Sequence, residues 1–214
     1  MSPAPEELEV PTPHGPARIA LDAPDTVTGL LVLGHGAGGG IEAPDLLAAA
    51  DAVPSGVAVA RVLQPYRVAG RRGPAPAAQL DEAWAAVLAE LTRRFAGVPQ
   101  VHGGRSSGAR VACRGAVVAD PVPVGVLALA FPLLAPARQD GTRGDRTPEI
   151  DAVDAAGIPV LAVSGDRDRF GVPPVAPHRQ VVTVRGDHSL RAKGPILDAV
   201  SPWLETLLGC APRP

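Results

Sequence analysis

Six near-continuous apolar segments constrain the fold of this chain more than any other feature of its sequence. They lie at residues 29–34, 56–63, 98–103, 124–131, 158–165 and 180–184. Each segment has the length of an ordinary strand, and an unbroken apolar run is typical of a strand that is buried on both faces of a parallel sheet. The segments therefore predict one central, mostly parallel sheet.

Between and after these strand segments, apolar residues recur at helical spacing. The helical segments lie at residues 43–53, 78–95, 108–119 and 194–208. Strands that alternate with helices are typical of an α/β architecture, in which helices cover both faces of the sheet. Before the first buried strand, residues 6–22 contain two strand-like segments that flank a turn with Pro and Gly. This pattern predicts an N-terminal antiparallel hairpin.

The longest polar segment, residues 135–157, is too short for a separate cap domain and is expected to be the most mobile part of the chain. The length of 214 residues fits one domain of ordinary size. We therefore predict a single α/β domain over residues 1–214, with helices on both faces of the sheet and no cap domain.

Composition excludes several classes of function. The net charge of −2 argues against a nucleic-acid-binding protein, because such domains usually carry a clear basic excess. Cys113 and Cys210 have neither the spacing of a metal site nor the number expected of a disulfide framework. The sequence contains neither a signal-peptide pattern nor a run of about 20 apolar residues. These features predict a cytoplasmic protein without membrane or nucleic-acid partners.

The segment Gly104-Arg105-Ser106-Ser107-Gly108 has the pattern G-x-S-x-G at the junction of a predicted strand and a predicted helix. In this context the pattern predicts a nucleophile elbow, a tight turn that exposes the serine hydroxyl. Glycines two positions before and after the serine give clearance to the crossing backbone. The backbone N–H of Ser107, at the helix N-terminus, would point toward a developing oxyanion. The same pattern also fits a plain glycine-rich turn in which Ser106 only caps the helix.

A base and an acid for this serine follow in the expected chain order. Asp166 and Asp168 come after the strand segment at 158–165, and His188 comes after the last strand segment. Serine hydrolases of open α/β sheets have the order Ser, acid, His, with each residue at the carboxyl end of a strand. We favour Asp168 over Asp166 as the acid, although both lie in one loop and sequence alone leaves the choice open.

The loop at residues 33–40 allows two interpretations. Its glycines satisfy G-x-G-x-x-G after a strand, which is a pattern of dinucleotide sites. No acidic residue stands at the end of the next strand, where such a site needs one. The favoured interpretation is an oxyanion loop, in which the backbone N–H of Ala37 or Gly38 approaches a substrate carbonyl. We therefore expect no organic cofactor and no metal.

Three arginines, Arg67, Arg71 and Arg72, lie in one loop that follows a strand. They could form a solvated or loop-clamping group. Alternatively, at least one guanidinium could reach the pocket and pair with a carboxylate or phosphate of the substrate. The second interpretation predicts a preference for anionic esters.

Several motifs together resemble the α/β-hydrolase superfamily, and in particular its small lidless branch related to dienelactone hydrolases. They are "LVLGHGAGGG", "GGRSSGARVA", "GDRDRFG" and "GDHSL". The resemblance implies that Ser106 is the nucleophile, Asp168 the acid and His188 the base, with an oxyanion donor in the first motif. One departure is Ser107, where many relatives carry Met or another larger residue.

The residues and the resemblance together predict a serine hydrolase that cleaves a small ester or thioester through an acyl-enzyme. The alternative is a binding or scaffold protein that keeps the fold without catalysis. Animal relatives in the same branch include a testis-expressed protein and a non-enzymatic subunit of a chromatin acetyltransferase complex. Covalent labelling by an active-site serine probe distinguishes the two hypotheses.

Overall fold

One mixed sheet of eight strands forms the centre of the protein. The computed structural model describes residues 4–209. The strands are β1 (Glu6–Val10), β2 (Ala17–Asp22), β3 (Gly29–Gly34), β4 (Val57–Leu63), β5 (Gln100–Arg105), β6 (Gly125–Leu129), β7 (Val160–Gly165) and β8 (Arg179–Val184). All six predicted strands and the predicted hairpin are present, but the last strand, β8, is a partly exposed edge strand and is not buried on both faces.

The sheet has the order β1-β2-β4-β3-β5-β6-β7-β8. Strand β2 pairs antiparallel with both β1 and β4, and all the other neighbouring strands are parallel. The sheet is therefore mostly parallel with an antiparallel N-terminal edge, as the sequence predicts. Because the parallel strands share one direction, the loops after β3, β5, β7 and β8 all leave the same end of the sheet.

Helices cover both faces of the sheet. They are α1 (Pro44–Ala50), α2 (Pro65–Val68), α3 (Ala77–Arg94), α4 (Ser107–Ala116), α5 (Thr147–Ala155) and α6 (Lys193–Leu208). In β3, Leu31 and Leu33 pack with buried residues of α1 and α6. The alternate residues Leu30 and Val32 pack with α3 and α4 on the opposite face. This two-sided burial explains why the strand segments are apolar without alternation.

Helix α5 is an element that the sequence pattern did not predict, because it lies in the polar segment at residues 135–157. Its two buried residues, Ile150 and Val153, are one helical turn apart and pack against α4 and the sheet. Glu149 of α5 is half-buried and pairs with Arg110 and Arg114 of α4. Two buried apolar residues are too few to show the repeating pattern of an amphipathic helix in the sequence.

Further predictions concern the chain as a whole. Within residues 4–209 there is no insertion large enough to form a cap domain. None of the helices in that range has both the length and the hydropathy needed to cross a membrane. Cys113 is a free, buried thiol, whereas Cys210 lies outside the described residues. The assignment of residues 1–214 to a single domain stays a prediction.

Candidate active site

Ser106 occupies a tight turn between the end of β5 and the beginning of α4. Its φ of 51° and ψ of −110° lie in a region that residues with a side chain rarely adopt. The backbone holds this conformation from both sides, because the Ser106 N–H donates to the Leu129 carbonyl at 2.8 Å and the Ser106 carbonyl accepts from the Arg110 N–H at 3.2 Å. The geometry is that of a nucleophile elbow.

The two glycines of G-x-S-x-G allow three backbone segments to cross closely at this turn. A Cβ atom on Gly104 would lie 2.5 Å from the Gly34 carbonyl oxygen, and a Cβ atom on Gly108 would collide with the backbone of Gly34 and His35. Any larger residue at either position would therefore push the elbow away from the loop after β3. The predicted need for backbone clearance has this specific structural basis.

The side chains of Ser106, His188 and Asp168 form a continuous hydrogen-bonded chain. His188 Nε2 lies 2.9 Å from Ser106 Oγ, and His188 Nδ1 lies 2.7 Å from Asp168 Oδ2. The Asp168 side chain is fully buried, and its Oδ1 accepts the Phe170 N–H at 2.9 Å. Because the carboxylate only accepts hydrogen bonds, it fixes the proton on Nδ1 and leaves Nε2 as the acceptor for the serine hydroxyl.

Asp166, the alternative acid, lies elsewhere in the same loop. Its Oδ1 accepts the backbone N–H of Gly186 at 2.9 Å, and its side chain has no hydrogen bond to His188 among the described contacts. This bond ties the loop after β7 to the loop after β8. The geometry therefore supports Asp168 as the partner of His188 and gives Asp166 a structural contact.

The loop after β3 brings backbone N–H groups to the same end of the sheet. The Gly39 N–H donates to the Gly36 carbonyl at 3.1 Å, which forms a turn with Ala37 and Gly38 at its centre. The hydroxyl of Tyr66 donates to the Ala37 carbonyl at 2.8 Å and fixes the turn. Within residues 4–209, the N–H groups of Ala37 and Gly38 have no hydrogen-bond acceptor.

The alternative interpretation of this loop as a dinucleotide site does not fit the backbone. In such a site the last glycine opens a helix whose N-terminus binds the pyrophosphate. Here α1 begins at Pro44, beyond the glycines, and a proline has no N–H to offer. In the described part of the chain, moreover, no group of three or more His, Cys, Asp or Glu side chains is arranged to hold a metal ion.

His35, which follows β3, is buried, and both of its ring nitrogens form hydrogen bonds with the backbone. Its Nδ1–H donates to the Gly36 carbonyl at 2.8 Å, and its Nε2 accepts the Gln64 N–H at 3.1 Å. Burial lowers the pKa of His35, and the positive charge of Arg67 lowers it further, against the opposing effect of the bond to Gly36. A neutral imidazole with both nitrogens engaged stabilises the loop and leaves His188 as the histidine beside the serine.

A buried ion pair connects this site to α1, and the sequence pattern did not reveal it. Arg105, the residue before the serine, donates through Nε to Asp45 Oδ2 at 2.6 Å. Its Nη2 donates to the backbone carbonyl of His188 at 2.8 Å. A Cβ atom on Gly36 would lie 2.6 Å from its Nη1, so the guanidinium also lies directly against the loop after β3. One side chain thus contacts α1 and the loops after β3 and β8.

Asp45 depends on this contact, because its side chain is completely buried. Burial raises the pKa of Asp45, and the adjacent Arg105 guanidinium opposes that rise by attraction and hydrogen bonding. The remaining carboxylate oxygen accepts the Leu46 N–H at 3.0 Å. A polar residue at x of G-x-S-x-G was the only sequence signal of this pair, since Asp45 is 60 positions away from Arg105.

The three arginines that follow β4 were predicted in one loop, but Arg67 lies in the short helix α2, and only Arg71 and Arg72 lie in the loop after it. All three have local surroundings. Arg67 donates through Nη1 to the Arg71 carbonyl at 3.2 Å, which corresponds to the predicted loop clamp. Arg71 also lines a small cavity beside Tyr66 and His14. No described hydrogen bond or ion pair joins Arg67, Arg71 or Arg72 to the Ser106 site. A role for these arginines in substrate binding stays a prediction.

Comparison with solved structures gives the same fold. An alpha-beta serine hydrolase homologue from Coxiella burnetii is 17% identical, with a TM-score of 0.73 over 97% of this chain and 99% of that one. A lidless α/β serine hydrolase from Xanthomonas campestris is 18% identical, with a TM-score of 0.71 over 99% of both chains. A dienelactone hydrolase from Anabaena variabilis is 15% identical, with a TM-score of 0.73 over 97% of this chain and 100% of that one.

Comparison with protein sequences and family models identifies the family. No curated protein sequence matches the chain significantly. The family model described as an alpha/beta hydrolase domain matches residues 27–194, a range that includes the elbow, Asp168 and His188. With this match over most of its length and an eight-stranded hydrolase-type sheet, the chain belongs to the alpha/beta hydrolase family.

Proposed function

We propose that the protein is a serine hydrolase that cleaves a carboxylic ester or thioester through an acyl-enzyme. The observation that carries the proposal is the hydrogen-bonded chain from Ser106 through His188 to Asp168, with links of 2.9 and 2.7 Å. A serine hydroxyl is a weak nucleophile until an adjacent base accepts its proton. These distances meet the requirement for proton transfer between positioned groups.

In the acylation step, Ser106 Oγ attacks the carbonyl carbon while its proton moves to His188 Nε2. The resulting imidazolium is stabilised by the Asp168 carboxylate at Nδ1. His188 then gives the proton to the departing alkoxide or thiolate as the carbonyl reforms. In the second step a water molecule attacks the acyl-enzyme, His188 accepts its proton, and the same proton returns to Ser106 Oγ as the acid leaves.

The negative charge of the tetrahedral intermediates needs preorganised donors. Ser107 is the first residue of α4, so its N–H has no intrahelical acceptor. The free N–H groups of Ala37 and Gly38 belong to the adjacent loop, and we assign one of them as the second donor. The positive end of the α4 dipole adds to this stabilisation. Each such donor contributes about two to three orders of magnitude to kcat in serine hydrolases.

A fluorophosphonate probe, which forms a covalent bond only with an activated serine, tests the proposal. We expect the wild-type protein to be labelled and the Ser106→Ala variant to be unlabelled. Ser55→Ala, which changes an exposed serine far from the elbow in sequence, is the matched control and should be labelled like wild type. Tandem mass spectrometry of the peptide at residues 106–110 then assigns the adduct to Ser106 or Ser107.

Two results would contradict the proposal. Equal labelling of Ser106→Ala and wild type would remove Ser106 from the reaction. A folded wild-type protein that is neither labelled nor active on short acyl esters would favour the alternative, a non-catalytic binding or scaffold protein.

A further inference from the structure

A groove beside the candidate active site begins at Phe170. The Phe170 ring packs against the His188 imidazole in a tilted, edge-on arrangement, with the ring centroids 4.6 Å apart. The same phenyl ring also lines an open groove of about 330 Å³. The other lining residues are Pro136, Ala137, Arg143 and Arg169. The groove is thus one side chain beyond the proposed general base.

Two guanidinium groups converge on this aromatic ring. The central carbon of Arg169 lies 4.9 Å from the Phe170 ring centroid, and that of Arg143 lies 5.5 Å from it. Neither arginine forms an ion pair with an acidic side chain in the described range. By contrast, Arg110 and Arg114 of α4 form ion pairs with Glu149 and Asp81.

The Arg143 side chain is held in the groove by hydrogen bonds to backbone carbonyls, whereas the Arg169 side chain is not. Arg143 donates through Nε to the Ala135 carbonyl at 2.7 Å and through Nη1 to the Arg169 carbonyl at 2.9 Å. These bonds hold the loop that forms the outer wall of the groove. The Arg169 guanidinium makes no hydrogen bond to any described residue, and only its stacking on Phe170 directs it toward the groove.

Two uncompensated positive charges on one aromatic ring repel each other, and an anion between them would remove that repulsion. The flat forks of the guanidinium groups match the geometry of a carboxylate. The phenyl ring and the Pro136 and Ala137 side chains offer an apolar surface for a planar group. The groove therefore has complementary parts for an aromatic or other planar group that carries a carboxylate.

We propose that the Phe170 groove is a substrate subsite that binds a planar apolar group bearing a carboxylate, with Arg169 as the anion-binding residue. This inference rests on the proposed hydrolase function, because it assigns the subsite to the substrate of Ser106. It differs from the earlier prediction for Arg67, Arg71 and Arg72, which lie in α2 and the loop that follows it.

Two esters that differ in one charge test the subsite. The first is 4-acetoxybenzoate, and the second is its methyl ester, in which the carboxylate is capped. We expect wild-type kcat/KM to favour the anionic ester, and added salt to weaken that preference. Arg169→Gln should lower kcat/KM for the anionic ester about fivefold, as befits an exposed ion pair, and change the neutral ester less than twofold.

The matched control is Arg167→Gln, which removes a positive charge from the same loop at a residue that does not line the groove. It should leave the ratio of the two kcat/KM values unchanged. An equal loss in Arg167→Gln would mean that only the general field of the loop matters, and the subsite would be rejected. Loss of the preference in Arg67→Gln, Arg71→Gln or Arg72→Gln, with none in Arg169→Gln, would transfer the anion site to α2 and the loop that follows it.

A binding experiment separates this proposal from the hydrolase function. The uncleaved amide analogue 4-acetamidobenzoate is titrated into the Ser106→Ala protein and into the Ser106→Ala/Arg169→Gln protein by calorimetry. Weaker binding in the double variant supports the subsite even if the wild type cleaves neither ester, in which case only the hydrolase proposal fails. Turnover of both esters with no dependence on Arg169, together with equal binding to the two proteins, overturns the subsite and leaves the hydrolase proposal standing.

Discussion

Replacing Arg105 by glutamine should destabilise the protein strongly, because it removes the only positive charge that contacts the Asp45 carboxylate in the described structure. The Asp45 side chain is fully buried, and that of Arg105 is 16% exposed. Removing one partner from a buried ion pair leaves an uncompensated charge, which typically costs about 3–5 kcal/mol of unfolding free energy at neutral pH. For a domain of this size, the loss corresponds to a decrease in Tm of roughly 10 °C.

The pH dependence of this loss follows from the pKa of Asp45. Burial already raises that pKa in the folded protein, and removal of Arg105 removes the interactions that oppose the rise. A folded-state carboxyl with a raised pKa keeps its proton at a pH where the unfolded chain has released it. Stability therefore falls as pH increases from the unfolded pKa of about 4 toward the folded pKa, by up to about 1.4 kcal/mol per pH unit.

Urea unfolding followed by circular dichroism at pH 4.5, 6 and 7.5 measures both effects. The difference in unfolding free energy between wild type and Arg105→Gln should be smallest at pH 4.5 and largest at pH 7.5. The double variant Asp45→Asn/Arg105→Gln, which removes both charges, should recover part of the loss and lose the extra pH dependence. A loss below about 1 kcal/mol in the single variant, or a difference that does not change with pH, would refute this account of the pair.

Two further predictions concern the catalytic acid and the elbow. Asp168→Asn should lower kcat for any ester that the protein cleaves by about 10⁴-fold, because the amide favours the wrong tautomer of the His188 imidazole. Asp166→Asn should lower kcat less than tenfold. The reverse ranking in steady-state kinetics would make Asp166 the acid. Gly108→Ala should sharply reduce Tm in thermal unfolding, because the new Cβ atom would collide with the backbone of Gly34 and His35. The control is Gly194→Ala, which adds a methyl group to open space in α6. Equal Tm values for the two variants would show that the elbow can relax.

The centre of the sheet was predictable from sequence because strands β3 to β7 are buried on both faces. Such strands need an apolar residue at every position, and that requirement leaves an unbroken pattern in the sequence. Helix α5 gave no comparable signal, since only Ile150 and Val153 are buried there. The sequence therefore revealed the central strands most clearly, and it missed the four-residue helix α2 and helix α5, which is attached by a single helical turn.

The proposed site was predictable only where chain order carries chemical meaning. Ser106, Asp168 and His188 follow strand ends in the order expected of a hydrolase, so their proximity could be inferred. The choice between Asp166 and Asp168 depended on the path of one loop, which no periodicity encodes. The Arg105 to Asp45 pair and the Arg169 groove depend on side chains that meet only in the folded protein.

The position of the proposed base in the sheet has a consequence for the order in which the protein opens. Ser106 follows β5, which has strands on both sides, whereas His188 follows β8, an edge strand whose only neighbour within residues 4–209 is β7. Elements with fewer neighbours exchange amide hydrogens through local opening at a lower free energy than global unfolding. We therefore expect that β8 and its loop can detach while the central strands stay folded, so that His188 leaves Ser106 before the core is lost.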